Sequence, residues 1–256
     1  MQRYFIPESS VTVGETMILD QEISHHMLKV MRNQVKESVY LVSAEQMLYE
    51  AVLIEEVDKK AKVKIKQQLA TPSTELPINV TIACGLSKND KLDWIVQKGT
   101  ECGMSAFIPI ALQRDVVKWP AKKVTQRIER LQKIAKEAAQ QSYRLKVPKV
   151  DSYTSFKQLL DLSKEYDHLF VAYEETAKNN ELKTLLVAHE SLRFDDKVLV
   201  VFGSEGGFNP TEITQLEEVG FIPIGLGPRI LRAETAPIYY LATLSYISEM
   251  MNKPFT

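Results

Sequence analysis

The spacing of apolar positions in this chain changes after about residue 70. Before it, β-branched or alternating runs are separated by polar turns: Val39-Tyr40-Leu41-Val42, Leu48 to Ile54, and Ala61 to Ile65. Such runs predict short strands. One short helix is expected near Ser24–Met31, with Ser24 as its N-cap. The first 70 residues therefore read as a small β-barrel. Gln67 to Pro77, with Thr71-Pro72-Ser73-Thr74 and then Pro77, is polar and proline-marked, which makes 71–77 the candidate linker. Beyond it, Ile78–Cys84, Phe107–Ile110, His168–Ala172, Val198–Phe202 and Phe221–Gly225 are short apolar runs alternating with helical stretches. That alternation predicts an α/β domain with a largely parallel sheet over 78–256.

Three helical stretches carry further information. Near Lys122–Ser142, Val124, Ile128, Leu131, Ala135 and Ala138 form one stripe, and Lys123, Arg127, Arg130 and Lys133 lie off it. Asn209 is an N-cap with Pro210 at N1 and Glu212 at N3. The last helix, about Glu234 to Met251, is apolar around most of its circumference through Ile238, Tyr239, Leu241, Ala242, Leu244, Ile247 and Met250. Such a helix is expected to be buried, and a subunit interface is a plausible place for it.

Composition adds limits. Of 256 residues, 45% are hydrophobic and 25% charged, the balance of a globular protein with a real core. No run approaches the ~20 apolar residues of a membrane-spanning helix. Met1 to Pro7 lacks the apolar run and cleavage site of a signal peptide. Two cysteines, Cys84 and Cys102, form neither a disulfide framework nor a four-ligand metal site and read as core residues. Trp94 also reads as packing. A cytoplasmic protein with reduced thiols is expected. His25, His26, His168 and His189 make no metal constellation, so no metal is assigned. The net charge is −1, yet Gln113 to Lys149 holds eleven Lys/Arg against three Asp/Glu. That segment can hold phosphates or can be a solvated helix face.

Two stretches, each directly after an expected strand, carry candidate chemistry. Gly203-Ser204-Glu205-Gly206-Gly207-Phe208 follows Val200-Val201-Phe202. Its glycines allow positive φ and close backbone approach to a ligand at the carboxyl end of a strand. It is no phosphate loop, because Gly-Lys-Ser/Thr does not follow, and the dinucleotide spacing is missing. The second stretch, Gly225-Leu226-Gly227-Pro228-Arg229-Ile230-Leu231-Arg232-Ala233-Glu234-Thr235-Ala236, sets two arginines ahead of the apolar helix. An arginine pair there suits an anionic neighbour.

Together, the glycine loop and L-G-P-R-I-L-R-A-E-T-A resemble the carboxy-terminal signature of the SPOUT-type, trefoil-knotted methyltransferases. Within that class the chain resembles family E of the bacterial 16S ribosomal RNA uridine-N3 methyltransferases. The resemblance includes His26 to Arg32, Lys88 to Lys98, Glu101-Cys102-Gly103-Met104, Arg114 with Val116-Val117, and Glu137 to Ser142 with Arg144 and Pro148. The chain departs from the family's usual pattern at Ser204, where proline is usual, at Ala233, where threonine is usual, and near Lys36-Glu37, where a Gly-Asp turn is usual.

The resemblance implies a deep trefoil knot in the carboxy-terminal α/β domain, a PUA-like amino-terminal barrel that grips RNA, and a homodimer formed through the knot and the last helix. It implies S-adenosyl-L-methionine held by Phe202, Gly203, Ser204, Glu205, Gly206, Gly207, Leu226, Gly227, Ile230, Leu231 and Ala236. The implied reaction is methylation of uridine N3 in 16S rRNA, with the assembled small subunit as the expected partner and no membrane. N3 is a poor nucleophile until its proton leaves, so negative charge on the uracil must be stabilised. Arg232 is the first candidate for this and Arg229 the second. Glu205 or Glu234 can accept the proton or, instead, anchor loop backbone, because an ordinary carboxylate is a weak base for this group. Arg3, Arg32, Lys88, Arg114 and Arg144 are candidate RNA phosphate contacts. A non-catalytic RNA-binding or ribosome-assembly factor, and a knotted methyltransferase acting on transfer RNA, are the alternative readings.

Overall fold

The structure is a computed structural model that describes residues 2–70, 73–173 and 190–251. The chain divides into two compact units: Met1–Glu75 with Ala139–Lys146, and Leu76–Ala138 with Val147–Thr256.

The first unit holds five strands, β1 (Arg3–Phe5), β2 (Thr16–Ile18), β3 (Ser38–Val42), β4 (Leu48–Val57) and β5 (Lys60–Leu69), in the order β1-β3-β4-β5-β2. All pairs are antiparallel except β1 with β3. Alternation along β4 and β5 sends Leu53, Ala61, Val63 and Ile65 into a core with Tyr4, Leu19 and Met27. The helix of this unit, α1 (Gln21–His25), starts earlier than Ser24: its N-cap is Asp20, which accepts from the Ile23 amide at 2.7 Å. Ser24 is fully buried instead; its Oγ donates to the Leu19 carbonyl and accepts from the Ala61 amide. A hydroxyl serves either use, and only the neighbouring strand decides between them.

The second unit is a parallel sheet. Its strands are β6 (Asn79–Gly85), β7 (Ala106–Ala111), β8 (Lys149–Val150), β9 (Thr154–Ser155), β10 (His168–Ala172), β11 (Lys197–Phe202) and β12 (Ile222–Ile224). The order is β12-β10-β11-β6-β7-β8, with β9 also on β7. Every pairing is parallel. Helices cover both faces. On one, α2 (Lys91–Glu101), α3 (Ala121–Gln141) and α6 (Thr235–Ser245) pack Ile95, Leu131, Ala135 and Leu241 onto Val80, Ile82, Val198 and Val200. On the other, α4 (Phe156–Leu162) and α5 (Pro210–Glu218) pack Leu159, Ile213 and Leu216 onto Ala83, Ile108, Val171 and Leu199. Burial on both faces is why these strands read as continuous apolar runs rather than alternating ones. The expected caps of α5 are present: Asn209 accepts from Thr211 and the Glu212 side chain returns to the Asn209 amide.

One expectation fails locally, at Trp94. Trp94 is 51% exposed, with the Lys98 ammonium 5.3 Å from its ring centroid, so it is not a packing residue of this unit. The last helix buries only one stripe, Pro237, Tyr240, Leu241 and Leu244, while Tyr239, Tyr246, Met250 and Met251 stand exposed. Apolar circumference alone does not say what covers each face. No helix among the described residues is long and apolar enough to cross a membrane.

Candidate active site

The carboxyl ends of β10, β11 and β12 open onto two adjoining cavities. The larger, about 500 Å³, is lined by Phe202 to Phe208, Lys91, Arg114, Tyr173 and the run Ile230 to Ala233, among others. The smaller, about 140 Å³, is lined by Leu226 to Leu231 with Ala172, Tyr173, Ile224 and Ala236. Ala172, Tyr173, Ile230, Leu231 and Ala236 belong to both. Strand order explains the meeting of two segments that a helix and a strand separate in the chain. Because β10 sits between β11 and β12, the loop leaving β11 and the loop leaving β12 flank the end of one strand.

The glycine loop is built for close approach. Gly207 has φ +66° and donates to the Ser204 carbonyl at 2.9 Å, closing a tight turn. A side chain on Gly206 would collide with the Arg114 carbonyl. The loop therefore lies against the β7–α3 turn, and two carboxylates fasten that turn. Asp115 Oδ2 accepts from the amides of Leu112 (2.9 Å) and Leu86 (3.2 Å), and Glu212 Oε1 accepts from the Gln113 amide at 2.8 Å. Burial pushes the Asp115 carboxyl up, and the hydrogen bonds from the Leu112 and Leu86 amides act against the rise.

The second loop is joined to the first by Lys91, at the start of α2. Its Nζ lies 3.1 Å from Glu205 Oε1 and 3.1 Å from Glu234 Oε2. Burial alone would raise both carboxyls, but the loop's own amides and the Lys91 ammonium outweigh it and hold both below the usual carboxylate range. The Lys88 amide adds a 3.1 Å hydrogen bond to Glu205. The Lys91 ammonium is itself raised, chiefly by its hydrogen bond to Glu205, against a smaller opposing effect of burial.

The expected site residues are distributed as follows. Phe202, Gly203, Ser204, Glu205, Gly206 and Gly207 line the larger cavity with Arg232; Leu226 and Gly227 line the smaller with Arg229. The arginine pair is thus split between the two. Arg114 reaches the larger cavity, and Lys88 touches the glycine loop only through its backbone. Arg32 is exposed, with φ +56°. Arg3 and Arg144 are buried, at 5% and 2% exposure, and do not present phosphate-binding guanidinium groups. Arg3 donates to the carbonyls of Tyr143 and Arg144, and Arg144 forms an ion pair with Glu75. Nothing in the sequence distinguishes a buried arginine from an exposed one. Lys91 and Tyr173 were not singled out by sequence: Lys91 is one lysine in a charged stretch, and Tyr173 follows an ordinary strand. The rule that ligands bind at strand carboxyl ends was the one signal pointing to Tyr173. Among the described residues no group of His, Cys, Asp or Glu is arranged for a metal, and His189 lies outside them.

A family model for an RNA methyltransferase domain matches residues 74–245. The ribosomal RNA small subunit methyltransferase E of Bacillus subtilis (strain 168) is 43% identical over 254 residues, 98% of each chain. The chain belongs to the ribosomal RNA small subunit methyltransferase E family. A family member from Neisseria gonorrhoeae, solved bound to S-adenosyl methionine, superposes with a TM-score of 0.83 at 27% identity, over 96% of this chain and 98% of that one. A crystal structure described as a hypothetical protein gives a TM-score of 0.88 at 40% identity, over 98% and 100% of the two chains. These matches span both units, so the likeness is to whole family members and not to the catalytic unit alone.

Proposed function

We propose that this chain is an S-adenosylmethionine-dependent methyltransferase acting on N3 of a uridine in 16S ribosomal RNA of the small subunit. The observation that carries the reading is the joining of the two family loops around one cavity by Lys91. Cofactor pockets commonly measure ~300–1,000 Å³ and are largely apolar. The larger cavity, about 500 Å³ with Phe202, Phe208, Ile230 and Leu231 in its wall and a glycine cradle that a Cβ would fill, fits such a group.

The glycine loop and Leu226 to Ala236 would hold the cofactor, which supplies an electrophilic methyl group. The chain's residues then have three tasks. Aromatic and aliphatic walls exclude water. Arg232, at the rim of the larger cavity, donates to an oxygen of the uracil ring and stabilises the negative charge left when N3 loses its proton. Arg229 serves the adjoining cavity. Glu205 is an anchor and not the general base: a carboxylate held below its usual range by an ammonium and two amides has little affinity for the N3 proton.

The finer architecture belongs to the same reading. Residues 1–70 form a PUA-like RNA-binding barrel, 71–77 a linker, and 78–256 a methyltransferase domain with a deep trefoil knot. Support for the knot is the family likeness together with β10 lying between β11 and β12, which brings both loops over Tyr173. The exposed apolar face of the last helix supports a homodimer. The enzyme would work in the cytoplasm with the ribosomal subunit. Incubation with labelled cofactor and small subunits, followed by mapping of the modified nucleotide, tests the reaction. Label at uridine N3 of 16S rRNA is expected; label on transfer RNA would refute the substrate, and absence of cofactor binding would refute the enzyme.

A further inference from the structure

The chain has two lysine-rich surfaces that could meet a polyanion, and the structure distinguishes them. On β5, Lys60, Lys62, Lys64 and Lys66 share one face, because side chains alternate along a strand. Two of the four are answered by acids on β4: Lys62 pairs with Glu55 at 2.6 Å and Lys66 with Glu50 at 3.7 Å. Met1–Glu75 as a whole holds nine Lys/Arg against eleven Asp/Glu, so its field is weak.

The amino-terminal half of α3 is different. Lys122, Lys123 and Arg127 are exposed, and no ion pair joins any of them to a carboxylate among the described residues. Further along, Arg130 turns back to Asp93, Nε to Oδ2 at 3.0 Å, and to Asp90 at 3.4 Å. Those two acids flank the start of α2, which carries Lys91 into the wall of the larger cavity. Arg130 therefore ties the α3 face to the cavity wall. The row from Lys122 to Arg130 runs ~12 Å along the helix.

We propose that Lys122, Lys123 and Arg127 on α3 form the surface on which the phosphodiester backbone of the substrate RNA lies, beside the cofactor cavity. The proposal rests on the reading of the protein as an RNA methyltransferase. Unpaired exposed cations carry condensed counterions off the nucleic acid when they bind, whereas cations already answered by carboxylates do so less. The catalytic unit then contributes RNA affinity of its own, and the barrel's lysine face does not supply it.

The test compares the full-length Lys122→Gln/Lys123→Gln/Arg127→Gln chain with a Lys62→Gln/Lys66→Gln control, which removes the two ion-paired lysines of β5, since glutamine keeps helix propensity while removing charge. Binding to naked 16S rRNA and to small subunits is measured across salt, alongside S-adenosylmethionine affinity and turnover. The α3 variant should bind RNA roughly 100-fold more weakly at moderate salt, with a salt slope shallower by about 2 to 3. Its KM for RNA should rise while kcat and cofactor affinity stay unchanged, and the control should match the parent. Undiminished RNA binding and slope in the α3 variant would overturn the proposal, as would a loss confined to the β5 control. Loss on intact subunits but not on naked RNA would assign the surface to an acidic protein partner and overturn it equally. A parent chain that binds RNA through α3 but neither binds cofactor nor transfers methyl would instead overturn the enzymatic reading and leave the docking surface standing.

Discussion

Arg144 and Arg232 are both arginines of a family signature, and the fold uses them in opposite ways. In the first unit the Arg144 guanidinium is buried against Glu75, whose second oxygen accepts from the Leu145 amide at 3.0 Å. In the second unit Arg232 is exposed at a cavity rim, its carbonyl caps the start of α6 through Thr235 and Ala236, and its charge helps hold the Glu234 carboxyl down. A buried charge must be paired at home, and once paired it has no donors to offer a ligand. The exposed one at the cavity rim forms no ion pair at hydrogen-bonding distance among the described residues. The difference teaches that burial decides whether an arginine is bound into the fold or left at the surface.

The sharpest way to break that comparison is Arg144→Met. Removing one partner of a buried pair should destabilise the chain by about 3–5 kcal/mol, because Glu75 is left uncompensated. Urea unfolding reads this, and S-adenosylmethionine affinity under folding conditions should be unaltered. A stability change within error would show that Arg144 is not structural. Next comes Arg232→Ala, expected to lower kcat roughly 10²–10³-fold, the scale found for removing one donor to a developing negative charge, with the unfolding midpoint unmoved. Full turnover at normal RNA affinity would end its catalytic assignment.

Lys91→Met should weaken cofactor binding roughly tenfold, which is about 1.4 kcal/mol, since it unties Glu205 from Glu234 on a partly exposed surface. Calorimetric titration with S-adenosylmethionine reads it, and an unchanged affinity would mean the two loops hold their geometry without the lysine. The same triad fixes a pH dependence. Both glutamates have depressed folded values, so their contribution is complete above the ordinary carboxylate value of 4.5 and is lost as pH falls through the lower folded values. Cofactor affinity should therefore be flat from neutrality down to the ordinary carboxylate value of 4.5 and fail as pH falls below it. A loss of affinity centred near neutral pH would identify a different titrating group. The smallest effect is expected at Lys62→Ala, an exposed pair worth about 0–1 kcal/mol, with RNA affinity unaltered.

Much of this was legible in the sequence for stated reasons. The α/β alternation beyond Pro77 was readable because parallel strands covered on both faces are continuous apolar runs. The α5 cap was readable because Asn-Pro-x-Glu meets its geometric needs within four residues. The two loops could be picked out because glycine and arginine patterns after strands are local features. Ser24, Arg3 and Arg144 differ from the expectation for one cause: each role depends on a neighbour distant in the chain. Ser24 meets Ala61, and Arg144 meets Glu75. Lys91 went unnoticed for the same reason, being defined by two glutamates that the chain places far downstream.

By itself, the sequence determined the long strands, the helices α3, α5 and α6, and where backbone is permissive. These follow from periodicity, capping and conformational preference, which act over a few residues. The short strands β1, β2, β8 and β9 and the helix α4 left no pattern long enough to read. Only the tertiary structure decided that β10 lies between β11 and β12, that Lys91 joins the two loops, and that Lys122, Lys123 and Arg127 of α3 meet no carboxylate among the described residues while Lys62 and Lys66 of β5 do. The physical reason is that a charge acquires its function from what lies within a few ångströms of it, and sequence distance does not report that.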